Sequence, residues 1–203
     1  MFLFGIRSII GFFLAFGLLF FSVVSAPIEE YSDISKYDTY FNTTIQDEEN
    51  SQFHYLNEEM FEIFPKSITA DMHPEEFKLI YYNPWDPQFV TYLTVDYEPD
   101  NYEEELGRLQ QLGIEEYTDY YTVTGEPQGY DIIAMNSDDY HGFVYAMVPE
   151  GKENNTEITY VGIWFCNYVL DLDIHDHLPD KYLLQGFDAS SGNPYEREKM
   201  GNH

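Results

Sequence analysis

The chain holds a single cysteine, Cys166, in 203 residues. No intramolecular disulfide can form, so the fold must stand on its core alone. Basic residues are almost as scarce: nine Lys and Arg face thirty-seven Asp and Glu, a formal net charge of −28. Such a field repels phosphate backbones and anionic headgroups, which argues against nucleic acid as a partner. It suits a cationic or protein partner, divalent ions, or simply solubility. Also missing are Gly-x-Gly-x-x-Gly, a Walker loop, His-Glu-x-x-His and Gly-x-Ser-x-Gly. Dinucleotide binding, nucleotide hydrolysis, zinc proteolysis and α/β-hydrolase chemistry therefore have no motif to rest on.

Hydrophobic length is concentrated at one place. In MFLFGIRSIIGFFLAFGLLFFSVVSA, Arg7 precedes an uncharged run from Ser8 to Ala26. A bilayer core needs about 20 apolar residues, so one reading is a transmembrane helix that tethers the chain. The other is a signal peptide, with a basic start, an apolar stretch and small residues near Ser25. Pro27 hinders cutting after Ala26, which favours a cut after Ser25. Both readings export the rest of the chain, secreted or anchored, with membrane contact only through residues 1–26. Residues 27–203 are then expected to form one acidic domain with a polar tail from about residue 186. All nineteen tyrosines lie there, and Tyr suits half-buried strands.

Periodicity divides this region. Ile34, Tyr37, Phe41 and Ile45 recur at helical spacing, with Ser32 or Asp33 as N-cap. A second short helix is expected over residues 57–64, ended by Pro65. From Phe77 the period changes to two: residues 77–82 and 89–97 read as strands joined by a hairpin through Asn-Pro-Trp-Asp-Pro. Residues 99–113 read as the firmest helix, with Asp100 or Asn101 as cap, a stripe of Tyr102, Leu106, Leu109 and Leu112, and Gly113 as stop. Three strands follow, over residues 130–136, 142–148 and the long run from Glu157 to Leu172. The expected fold class is α+β: an antiparallel sheet of about five strands in the order β-β-α-β-β-β, with one covering helix and one or two N-terminal helices.

The run VLDLDIHDHLPD (residues 169–180) alternates in polarity. In an extended chain Asp171, Asp173, His175 and His177 would share one side. Carboxylate oxygens and imidazoles are a ligand set for a divalent metal, but four in a straight row cannot share one ion without a bend. The bland alternative is a solvated strand end. Trp85, between two prolines, could stack on a sugar ring with Asn83 and Asp86 taking its hydroxyls, or fold back as a lid on the core. Cys166 reads as a small buried apolar residue; as a nucleophile it would need His141, His175 or His177, and nothing local supports that pairing.

The leading expectation is an extracytoplasmic, non-catalytic domain with an accessory or binding role at the cell envelope. The alternatives are a metal-binding or metal-dependent site at Asp171–His177, and a carbohydrate-binding module using Trp85.

Overall fold

Residues 26–41, 53–57, 59–152, 154–166, 169–190 and 192 are described by the computed structural model. Six strands form one sheet: β1 (Ile28–Tyr31), β2 (Met72–Tyr82), β3 (Gln88–Tyr97), β4 (Tyr130–Asp138), β5 (Gly142–Pro149) and β6 (Glu157–Trp164). Their spatial order is β1-β2-β3-β6-β5-β4, and every neighbouring pair is antiparallel. The α+β class and the β-β-α-β-β-β order are as expected. The sixth strand is β1, which runs along the outer edge of β2 with Ile28 opposite Tyr82.

Among the described residues three α-helices accompany the sheet: α1 (Tyr37–Phe41), α2 (Pro99–Leu112) and α3 (Ile174–His177). α1 continues a 3-10 turn, Ile34–Lys36, capped by Asp33, whose carboxylate accepts from Ser35 N–H. α2 begins with Pro99 at its first position, after Glu98 rather than Asp100 or Asn101, and no side chain caps it. Gly113 ends it at φ 81, a left-handed conformation that costs glycine little. The helix expected over residues 57–64 is two 3-10 turns instead, His54–Asn57 and Glu59–Ile63.

Both sheet faces are covered, because the middle strands are apolar at both parities. On one face Leu79, Phe89, Val144, Ile158, Tyr160 and Trp164 pack under α1, α2 and the 3-10 turns. On the other, Ile80, Val90, Phe143, Tyr145, Val161 and Ile163 pack under residues 120–123 and the segment 170–189. β6 is buried along almost its whole length, as expected for a central strand. Each large apolar side chain sealed in this way contributes about 1.5–3 kcal/mol relative to exposure. Gly162 makes one of these packings possible: a Cβ there would meet Phe61 Cε1 at 2.7 Å and Thr91 Cγ2 at 2.9 Å.

Several polar groups inside the layers are paired, whereas the buried Trp164 Nε1 has no hydrogen-bond partner among the described residues. The Arg108 guanidinium donates twice to Glu105, at 2.7 Å each, and to the carbonyls of Glu62 and Ile63. Tyr160 donates to Glu105 at 2.7 Å and shares a 2.6 Å hydroxyl contact with Tyr97. Burial drives the Tyr97 and Tyr160 hydroxyls well above the ordinary phenol range, so both stay protonated.

Four expectations need correction. No helix among the described residues is long and apolar enough to cross a membrane. This overturns the transmembrane helix and membrane attachment through a segment; of residues 1–26, on which both rested, 1–25 lie outside the described residues. The long run Glu157–Leu172 is not one strand either: β6 stops at Trp164. The tail expected from about residue 186 is still packing there, with Phe187 and Ala189 buried.

Candidate functional site

The sheet has two ends, and the strand register assigns residues to them. Ile28 faces Tyr82, Tyr82 faces Gln88, Phe89 faces Trp164, and Gly142 faces both Trp164 and Asp138. One end therefore gathers the start of β1, the β2–β3 hairpin, the β4–β5 hairpin and the close of β6. Both stretches singled out in the sequence meet there.

Pro84 and Pro87 bracket the hairpin tip. Proline fixes φ and lacks a ladder donor, so the strands pair up to Tyr82 and Gln88 and the five residues between form the turn. Asn83 Nδ2 donates to the Tyr81 hydroxyl at 2.9 Å. Trp85 sits on the tip with 72% of its surface exposed. It is no lid on the core, and no aromatic ring among the described residues stacks on it. The neighbouring Ile28 is also exposed, at 46%.

At the base of the hairpin, Gln88 is fully buried. Its Nε2 donates to Asp171 Oδ2 at 2.6 Å, and its Oε1 accepts from Asp171 N–H at 2.9 Å. This clamp pins the chain that leaves β6. Two residues on, Asp173 accepts from His175 N–H at 3.2 Å and starts α3. Leu170, Leu172 and Ile174 stay buried on one side, as the even-numbered parity implied.

The helical turn undoes the shared parity of the polar residues. Helical neighbours two apart point about 200° around the axis, whereas in a strand they point the same way. His175 Nδ1 lies 2.7 Å from Asp180 Oδ1, and this hydrogen bond raises the imidazole pKa above its ordinary value. His177 is turned toward β1: its Nδ1 lies 3.9 Å from Glu30 Oε1. That nitrogen is buried without a hydrogen-bond partner among the described residues. Asp171 and Asp173 are occupied as described. Among the described residues, no group of three or more His, Cys, Asp and Glu side chains is placed to hold a metal ion.

Asp171, Asp173 and His175 nevertheless share a depression of about 500 Å³, completed by Asp188 and Ser190. Leu170, Leu172, Ile174, Phe187 and Ala189 form its apolar part. Ser190 donates to Asp188 through hydroxyl and N–H, at 2.6 and 2.9 Å, and holds that carboxyl below its ordinary range. Nothing in the local sequence announces Asp188 as a partner of Asp171; the two converge only because residues 170–189 fold back across the sheet.

The β4–β5 hairpin adds a third group. Asp138 Oδ1 accepts from the backbone N–H of Tyr140 and of His141, at 2.7 and 2.8 Å, and lies 3.2 Å from His141 Nδ1. The imidazole stacks on Trp164 with rings 6° from parallel and centroids 5.3 Å apart. Cys166 is half-buried just beyond, so it reads as less enclosed than its apolar neighbours suggested. Neither His175 nor His177 is directed to it: the first pairs with Asp180, the second faces Glu30.

This sheet end thus offers one exposed indole, a pocket rimmed by acids, and aspartates on two hairpins. No family model matches the chain, and the searches of curated proteins and of solved structures likewise found no match.

Proposed function

We propose that this chain is an exported, non-catalytic domain that binds a partner at the cell envelope through the sheet end carrying Trp85. The observation that carries the reading is Trp85 itself. A large indole, 72% exposed, stands on a hairpin stiffened by two prolines and tied to the core through Gln88. Tryptophan is the side chain most often found at the energetic centre of an interface, and rigid placement lowers the entropic cost of binding. Export rests on the sequence of residues 1–26, a basic start followed by an apolar run that ends in small residues.

The test is co-sedimentation of the exported chain with envelope fractions. The wild-type chain is expected to co-sediment and Trp85→Ala to remain in solution with its thermal midpoint unchanged. Equal co-sedimentation of the two, or recovery of the chain only from the cytosol, would overturn the reading.

A sugar-binding reading has the exposure of Trp85 in its favour, since burial of the indole would have removed it. A sugar platform gains most of its strength from a second ring or a ring of hydroxyl partners, and among the described residues no ring stacks beside Trp85 to supply the first. The protein-binding reading stands ahead for that reason.

A further inference from the structure

We infer that Asn154 is the acceptor of an N-linked glycan, attached as the chain is exported. The inference rests on the export proposed above and adds a covalent site at the sheet end opposite Trp85.

Asn154-Asn155-Thr156 is an acceptor triplet: an asparagine, a residue other than proline, and a hydroxyl two places on. A second triplet, Asn42-Thr43-Thr44, lies outside the described residues. Short triplets arise by chance, so the fold has to select the acceptor. Asn154 is exposed in the turn between β5 and β6, at φ 55. Asparagine is one of the few residues besides glycine that take this left-handed conformation readily. Among the described residues its side chain has no hydrogen-bond partner.

The next residue is the opposite case. Asn155 Nδ2 donates to the Glu157 carbonyl at 2.7 Å and to the Tyr102 hydroxyl at 3.2 Å, and its Oδ1 accepts from Glu157 N–H at 3.3 Å. Of two adjacent asparagines, the fold employs the one that heads no triplet and leaves the other's amide in solvent. A bulky polar sugar on Asn154 therefore displaces no packing. It also stands clear of the binding face. Pro149 opposite Tyr130 and Glu157 opposite Asp96 mark this end of the sheet, while Gly142 opposite Trp164 marks the Trp85 end.

The sugar donor is a lipid-linked oligosaccharide pyrophosphate, met in the compartment that export crosses. Asn154 Nδ2 gives up one proton and bonds to the sugar C1. The bond from C1 to the pyrophosphate oxygen breaks, and the lipid pyrophosphate leaves with the electron pair. In the folded chain Thr156 Oγ1 is already donated to Asp96 Oδ1 at 2.6 Å. Transfer therefore belongs to the chain before β6 closes on β3.

The test uses the full chain, residues 1–26 included, made in its own source cells and recovered from the exported fraction. Sugar is released enzymatically in heavy-oxygen water, and peptide mass spectrometry is expected to find the label at position 154. Asn154→Asp keeps a side chain that tolerates the left-handed turn, and should lose the mass of one glycan. Thr156→Ser retains the hydroxyl and should keep that mass.

An exported chain with Asn154 unmodified overturns the inference and leaves export standing, whether or not Asn42 carries sugar. A glycan mass unchanged in Asn154→Asp places the sugar elsewhere and also overturns it. Recovery of the chain only from the cytosol, without sugar, removes both the site and export.

Discussion

Gln88 and Asp171 hold each other at both ends of one carboxamide: side-chain N–H to carboxylate at 2.6 Å, and backbone N–H to side-chain oxygen at 2.9 Å. The pair spans 83 residues of sequence and ties the start of β3 to the segment that crosses the second sheet face. A fully buried amide has no water to fall back on, so its two partners fix where residues 170–173 run.

Gln88→Leu keeps the volume and removes both bonds. A hydrogen bond to a charged group is worth about 1.5–3 kcal/mol, and a loss of that size is expected in urea unfolding. Gln88→Glu places a carboxylate beside Asp171, and two such groups cannot both ionise at close range. This variant should be the less stable at pH 7 and recover part of its loss as the pH falls toward about 5. A stability independent of pH in Gln88→Glu would show that the clamp is open in solution.

Arg108 joins α2 to the 3-10 turn through the carbonyls of Glu62 and Ile63, and neutralises Glu105. Arg108→Met strands a mostly buried carboxylate that also receives the Tyr160 hydroxyl. The arginine is itself about one-third exposed, 38%, so the cost is expected below that of a fully buried pair, at about 2 kcal/mol. The double variant Arg108→Met/Glu105→Leu should be more stable than Arg108→Met alone. A thermal melt series over the three chains decides it.

His175 sets a pH dependence. Its pKa is raised in the folded chain by the hydrogen bond to Asp180, from an ordinary value of 6.5. The added stability is present in full below that value and is lost as pH rises through the folded pKa. With the two side chains 63% and 81% exposed, the effect should be no more than about 0.5 kcal/mol. An NMR titration of His175 should show its midpoint fall in Asp180→Asn; an unchanged midpoint would mean the contact is not formed.

Zinc, manganese and calcium should leave the thermal midpoint where it is. Ligand binding only to the folded state adds about 2.7 kcal/mol at a hundredfold excess over Kd, which a melt detects easily. Asp171, Asp173 and His175 already have partners, and His177 faces another strand. A rise abolished by His175→Ala would mean that residues 171–177 rearrange around an ion.

The two tryptophans should separate cleanly by fluorescence. Trp85 is 72% exposed and Trp164 only 1%. Acrylamide should quench the Trp85 component and spare Trp164, and Trp85→Phe should shift the emission to the blue. Red, quenchable emission persisting in Trp85→Phe would place Trp164 in water.

What could be read from residues alone follows a physical divide. α2 was visible because Pro99, Tyr102, Leu109 and Gly113 mark a start, a stripe and a stop within fifteen positions. The paired strands were visible through their β-branched and aromatic runs. β1 was not, because Ile-Glu-Glu-Tyr is four residues long and owes its conformation to the edge of β2. The alternation of residues 169–177 pointed to a strand, yet Asp173 is as good a helix cap as it is a strand residue. No neighbouring strand offers that segment a ladder, so the cap prevails. The exposure of Trp85 was undecided for a similar reason: two prolines specify a turn, not which way its indole points.

The sheet is two three-stranded meanders, β1-β2-β3 and β4-β5-β6, joined along the single seam between β3 and β6. A growing chain completes the first meander long before β6 exists, and β3 then presents an apolar, unpaired edge until the last strand arrives. Closing that seam spans some sixty residues, which slows folding and exposes the half-made sheet to unwanted pairing. If the chain is exported, as proposed, this favours a delay: crossing the membrane unfolded, and folding only when the whole sequence is on the far side, keeps that edge from waiting alone.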